Sequence, residues 1–273
     1  MYRIADYNAN DNSFTFGRGG FQGAEGERTN EAWFVENVME LLDGPNEFFY
    51  DPTANKLYYF YNASAGTPPP TTWTWEVPLF TTLISIMGDP HAPVSGITIS
   101  GITLTSAAPV YMQDSSTPSG GDWGLARVGA ITLENTESIT ISNNLFTRLD
   151  GNAIIISGYN RNATVYRNEF VWIGNSAIAS WGYTVDVDAT AGTQPWYNNI
   201  TQNLCHEIGH YEKQSSCYFQ AVTGQSYIEG NIFYNGPRAM VNFNDGLPPG
   251  GSILTRNLVW NTCRESQDHG PFK

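Results

Sequence analysis

Two carboxylates near the end of the chain, Asp245 and Asp268, recur in similar strings: Met240-Val-Asn-Phe-Asn-Asp245-Gly and Ser266-Gln-Asp268-His269-Gly. Carboxyl groups held about 5–5.5 Å or 6.5–9.5 Å apart can break a glycosidic bond, one donating a proton to the leaving oxygen while the other attacks or activates water. Asp245 and Asp268 are the leading catalytic pair, because a neighbouring charge raises one carboxyl's pKa and keeps it protonated for the acid role. Lys213, Arg238, His269 and Glu212 are candidates to orient sugar hydroxyls or tune the pair, and Trp181, with Trp172, Trp196 and Trp260, offers flat rings on which a sugar can stack. Asn-Asp-Gly and Asp-His-Gly strings also form Asx turns, so a purely structural reading of both aspartates stands beside the catalytic one. Elimination from a uronate needs a base and a cation, for which Lys213, Arg238 and Arg264 are the available groups.

His206-Glu207-Ile208-Gly209-His210 matches the zinc-peptidase string H-E-x-x-H. That chemistry requires both imidazoles on one face of a helix. The segment instead falls inside a β-type repeat, with Gly209 at a turn, so neither a metal nor a cofactor is expected.

The elements that must position these groups follow from the repeat. Ile141-Ser-Asn-Asn144, Val165-Tyr-Arg-Asn168, Ile200-Thr-Gln-Asn203, Ile228-Glu-Gly-Asn231 and Leu254-Thr-Arg-Asn257 align on one asparagine, with an aliphatic residue three before it and an apolar one two after. Successive asparagines are 24, 35, 28 and 26 residues apart, which places an insertion between Trp181 and Trp196. Ile97-Thr-Ile99-Ser-Gly-Ile102-Thr-Leu104 reads as an earlier turn lacking its asparagine. A glycine at 151, 174, 209 and 236 precedes a further short strand in each repeat. Short period-2 runs separated by turns, stacked at a fixed period, make an all-β solenoid, a right-handed parallel β-helix in which the asparagines form a ladder from coil to coil. Carboxylates remote in sequence then become neighbours about 4.8 Å apart on adjacent strands.

Residues 1–92 differ and are expected to form a small β-rich N-terminal cap, with residues 93–273 forming the coils. Asn30 to Leu42 has a short helical signature ended by Gly44-Pro45. Glu47 to Tyr61 reads as two aromatic strands joined by an Asp-Pro turn. Trp33-Phe-Val-Glu-Asn-Val, Leu42-Asp-Gly-Pro-Asn-Glu-Phe-Phe-Tyr-Asp-Pro-Thr and Leu57-Tyr-Tyr, followed by such coils, resemble the right-handed parallel β-helix proteins of the pectate-lyase-like superfamily, and within it the β-helix glycoside hydrolases. The resemblance implies an extracellular carbohydrate-active protein that hydrolyses a polysaccharide lying along a strand face. The rival readings are a non-catalytic fibre, wall or glycan-binding β-helix and a polysaccharide lyase. Chains of this kind usually continue beyond a segment like Asp268-His-Gly-Pro-Phe272, so a C-terminal truncation is expected; the N-terminus lacks the regions of a signal peptide, which implies a removed leader or a fragment.

Composition narrows the partners. The net charge is −13, with 13 basic residues against 26 acidic, and the basic ones are scattered singly rather than clustered for phosphate contacts. Nucleic acid is therefore excluded, and a neutral or weakly charged glycan is favoured. The apolar runs are too short for a membrane span. The open ends of a solenoid allow end-to-end self-association. Three sequons, at Asn62, Asn162 and Asn199, are compatible with a secreted glycoprotein. Three cysteines, Cys205, Cys217 and Cys263, leave the pairing open.

Overall fold

The computed structural model describes residues 2–19, 34–62, 69–110, 125–185, 188–244, 250–265 and 270–273. Chain contacts divide the protein into two compact units, Ala24–Glu76 and the remainder. The larger unit is a right-handed parallel β-helix of three sheets, the sense that parallel crossovers take.

The first sheet stacks Ile84–Met87, Gly129–Glu137, Asn152–Arg161, Ile178–Trp181, Tyr218–Ala221 and Val241–Phe243. The second stacks Thr98–Ser100, Thr140–Ser142, Thr164–Tyr166, Asn199–Thr201, Tyr227–Glu229 and Ile253–Thr255. The third stacks Thr103–Thr105, Leu145–Leu149, Glu169–Ile173, Leu204–Ile208, Ile232–Tyr234 and Leu258–Trp260. We number the coils 1 to 5 from Gly129, with an incomplete leading coil before them. Its strand Ile84–Met87 already pairs in register with Gly129–Glu137, so the solenoid begins ahead of residue 93.

Each coil turns from the second sheet to the third through two residues. The first takes a left-handed conformation, at Gly101, Asn143, Arg167, Gln202, Gly230 and Arg256, with φ between 53° and 74°. The second is the repeated asparagine. Asn144 Nδ2 donates to Asn168 Oδ1 at 3.0 Å, Asn168 to Asn203 at 3.1 Å, Asn203 to Asn231 at 3.0 Å and Asn231 to Asn257 at 2.9 Å. Each amide also donates to a main-chain carbonyl of the preceding coil, such as Asn203 to Val165 at 2.9 Å. A sharp corner strips strand ends of their ladder partners, and the asparagines satisfy them inside the protein. In the leading coil Ile102 holds this place, and its N–H finds Asn144 Oδ1.

The core is built of columns. Ile99, Ile141, Val165, Ile200, Ile228 and Leu254 align across the second sheet. Leu104, Phe146, Phe170, Cys205, Phe233 and Val259 align across the third. Phe146 and Phe170 stack with centroids 4.7 Å apart. Cys205 is bonded to Cys217 with a Cα separation of 6.0 Å, and Cys263 is free. The insertion leaves after Trp181, and Pro195–Trp196 rejoins the first sheet beside Arg161.

In the smaller unit, Phe48–Asp51 and Lys56–Tyr59 form the expected antiparallel aromatic pair. The expected helix from Asn30 to Leu42 is corrected where described: only Met39–Leu41 makes a 3-10 turn. Asn37 is left-handed at φ 56°, and its carboxamide exchanges hydrogen bonds with the main chain of Tyr50 at 2.8 and 2.9 Å, so strand pairing outcompetes local helix propensity. A hairpin of Tyr2–Asn8 and Ser13–Gly19 had no counterpart in the sequence reading and belongs to the larger unit.

Candidate active site

Each third-sheet strand of coils 1 to 5 has a left-handed residue at its C-terminal end, inside the strand at Arg148, Trp172 and Glu207 and just after it at Asn235 and Asn261, φ 48° to 58°. A tryptophan is costly in this conformation, and such strain persists only where the surroundings enforce it. The turns that then lead back to the first sheet differ in length, being residues 150–151 in coil 1, 174–177 in coil 2 and 209–217 in coil 3.

These three turns are stacked by main-chain bonds. Gly174 N–H donates to Leu149 O at 2.6 Å, and the N–H groups of Tyr211 and Glu212 both donate to Gly174 O at 3.0 Å. Gly174 lies so close to the turn below that a Cβ there would stand 2.4 Å from the carbonyl oxygen of Asp150. Gly209 turns at φ 71°, where a Cβ would meet Pro237 at 2.4 Å. Arg148, Asp150, Trp172, Gly174, His210 and Tyr211 thereby line a shallow groove of about 340 Å³. Trp172 stands 51% exposed on its wall and stacks on His210 with ring centroids 5.2 Å apart.

Burial raises the pKa of Asp150, which is half-buried in the groove. It also raises that of half-buried Glu212 at the groove's edge, against the opposing pull of Lys213 and the Gln214 N–H. His210 is shifted down by desolvation and by Lys213, which favours its neutral imidazole. Lys213 is paired with Glu265 at 3.0 Å. The Tyr2 phenol is raised by burial and by the charge of Glu212. A carboxyl whose pKa is raised by burial, in one groove with an imidazole and an open aromatic ring, is of the kind that donates a proton onto a bound sugar's leaving oxygen.

Asp245, Asp268 and His269 lie outside the described residues. Glu212 and Lys213 stand on the coil 3 turn. Arg238 is buried in the coil 4 turn, where its carbonyl accepts the Cys263 N–H at 3.1 Å. Trp181 is 4% exposed on the outer side of the first sheet, beneath the Arg127 guanidinium at 3.7 Å from its ring. His206 and Glu207 are strand residues, not helical, and the two imidazoles of the H-E-x-x-H string stack on different rings, His206 on Tyr234 and His210 on Trp172. Among the described residues no group of three His, Cys, Asp or Glu side chains converges for a metal. Asn62 and Asn162 are exposed, and Asn199 is half-buried in a second-sheet strand.

Sequence reasoning overlooked Asp150, Arg148 and Tyr211. The signal was present in the aligned glycines: stacking Gly151, Gly174 and Gly209 brings Asp150 under the turn that carries His210.

No protein-family model matches the chain, and no curated protein matches its sequence. Among solved structures, one described as "Glycoside hydrolase" superposes with a TM-score of 0.67 at 17% identity, over 86% of this chain. The match spans 46% of that structure's length, and likeness at this level of identity establishes the shared β-helical fold.

Proposed function

We propose that this β-helix hydrolyses a glycosidic bond in a neutral or weakly charged polysaccharide. The observation that carries the reading is Asp150, a carboxyl whose pKa is raised by burial in a groove walled by exposed Trp172. Asp150 is the proton donor on this reading, Glu212 the second carboxyl, and Trp172 and Tyr211 the sugar platform. Likeness of fold to a glycoside hydrolase supports the carbohydrate class. The Cys205–Cys217 disulfide supports an oxidising, extracellular location, and with it glycosylation at the sequons. The pair Asp245 and Asp268, with His269 and Arg238, is the alternative site.

A non-catalytic glycan-binding β-helix, which the open ring of Trp172 would serve equally, is the second reading. A polysaccharide panel assayed for new reducing ends and for the absorbance of unsaturated products separates hydrolase, lyase and binder. Expected are reducing ends without unsaturation, falling about 10²-fold or more in Asp150→Asn, the usual scale for loss of a general acid. Loss confined to Asp245→Asn and Asp268→Asn would move the site there, and binding without products would leave the adhesive reading.

A further inference from the structure

The turn of coil 3 is the longest of those joining third to first sheet in coils 1 to 4, nine residues at 209–217 against two, four and six in the others. It carries His210, Tyr211 and Glu212. Cys205, at its root, occupies the column position that Phe146, Phe170 and Phe233 hold in coils 1, 2 and 4. Cys217 is its last residue before the first-sheet strand, and both cysteines are fully buried. The six-residue turn of coil 4 has a phenylalanine at this position.

We infer that the Cys205–Cys217 disulfide is a positioning device for the groove: it closes the coil 3 turn covalently and fixes His210, Tyr211 and Glu212 over Gly174. The inference rests on the groove being the site proposed above. A stacked phenylalanine at position 205 would fill the core equally well but could not tether the turn. The tip of the turn holds to coil 2 by three main-chain bonds, from His210 to Ile173 O at 3.3 Å and from Tyr211 and Glu212 to Gly174 O. The returning limb is tied separately, Ser216 N–H to Ser176 Oγ at 3.1 Å and Ser215 Oγ to Asn175 Oδ1 at 3.0 Å. A closed loop has fewer open conformations, so these few bonds suffice to hold the tip. The coils above and below keep their own ladders, since a solenoid is stabilised by nearest neighbours, and loosening is confined to the turn.

The test compares Cys205→Ser/Cys217→Ser with the intact pair, both in a Cys263→Ser background that prevents thiol exchange. Hydrogen exchange at the amides of 210–212 should rise tenfold or more, while the Asn168 and Asn203 amides keep their protection. On a cleaved polysaccharide kcat/KM should fall at least fivefold, because Tyr211 of the sugar platform and Glu212, the second carboxyl, both lie on the loosened turn. Unchanged exchange at 210–212 overturns the inference, as does faster exchange with unaltered kcat/KM, which leaves the hydrolase reading intact. If the intact protein cleaves none of the polysaccharides, that reading fails and exchange alone decides whether the tether orders the turn. Should the double variant not fold, selective reduction of the folded Cys263→Ser protein, verified by thiol labelling and reversed by reoxidation, supplies the same comparison.

Discussion

Asn168 Nδ2 donates to Asn203 Oδ1 at 3.1 Å although the two residues are 35 apart in the chain. The insertion between Trp181 and Trp196 thus leaves the corner that follows in register. Asn203 also accepts the Asn168 N–H at 3.0 Å and donates to Asn231 and to Val165. Asn203→Ala leaves several buried groups unpaired, and at about 1–3 kcal/mol for each such group the loss should be about 3 kcal/mol or more. Asn257→Ala, on the last and only partly buried rung, should cost about half as much. Urea midpoints compare them; equal losses would contradict a ladder whose worth depends on burial.

That ladder was legible because a solenoid must repeat its corner residue to stack, so five asparagines at a common offset carry the fold by themselves. Asn30 to Leu42 misled because helix signals are local, whereas Asn37 is claimed by Tyr50 from a strand 13 residues away. The site was harder to read. Asp150 has no motif around it, and its chemistry arises from Gly174 and His210 being laid over it by different coils. Trp172 and Trp181 look alike in sequence, yet Trp181 is covered by Arg127 on the outer side of the first sheet while Trp172 stays open to solvent.

Gly174→Ala tests how closely the site turns are packed. Its Cβ would stand 2.4 Å from Asp150 O and 2.6 Å from Asp150 C, main-chain atoms that cannot rotate away. The turns must separate, costing about 1–3 kcal/mol as overpacking does, and the groove residues move with them. Thermal unfolding and kcat/KM should both fall, whereas Gly250→Ala, with open space about its Cβ and no left-handed backbone, should leave the groove's activity intact. Activity retained in Gly174→Ala would show that the stacking of Gly174 on Asp150 does not set the site.

Glu212 has a folded-state pKa raised above the ordinary 4.5 by burial, and Asp150 one raised above 3.8. The folded chain therefore binds these protons more tightly than the unfolded chain. This contribution to stability is fully present below the ordinary carboxylate values and is lost as pH rises through the raised folded values. Glu212→Gln removes the titration while keeping the shape. It should melt above the wild type at pH 7, with the gap closing toward pH 4, while losing activity, the trade expected where a strained site serves catalysis. A gap that widens on acidification would reverse the sign and show Glu212 to be stabilised as the anion.

Trp181 and Trp172 should separate stability from binding. Trp181 is 4% exposed among Leu125, Ile155, Ala179, Phe219 and Ala221. Arg127 covers its ring while donating to Trp181 O at 2.7 Å, Gly182 O at 3.0 Å and Ser157 Oγ at 3.1 Å, and desolvation brings the guanidinium down to about 10. Trp181→Ala should cost about 3–5 kcal/mol, the range for a buried aromatic. Arg127→Lys should also destabilise, because a single ammonium cannot reproduce the planar fork that reaches three oxygens. Trp172 is half in solvent, so Trp172→Ala should change stability by no more than about 0.5 kcal/mol. If its ring carries a sugar, the lost contact of about 1.4 kcal/mol appears as a tenfold weaker KM or Kd for the polysaccharide. Melting curves and binding isotherms on the two tryptophan variants decide it: a binding loss confined to Trp181→Ala would place the glycan on the first sheet rather than in the groove beside Asp150.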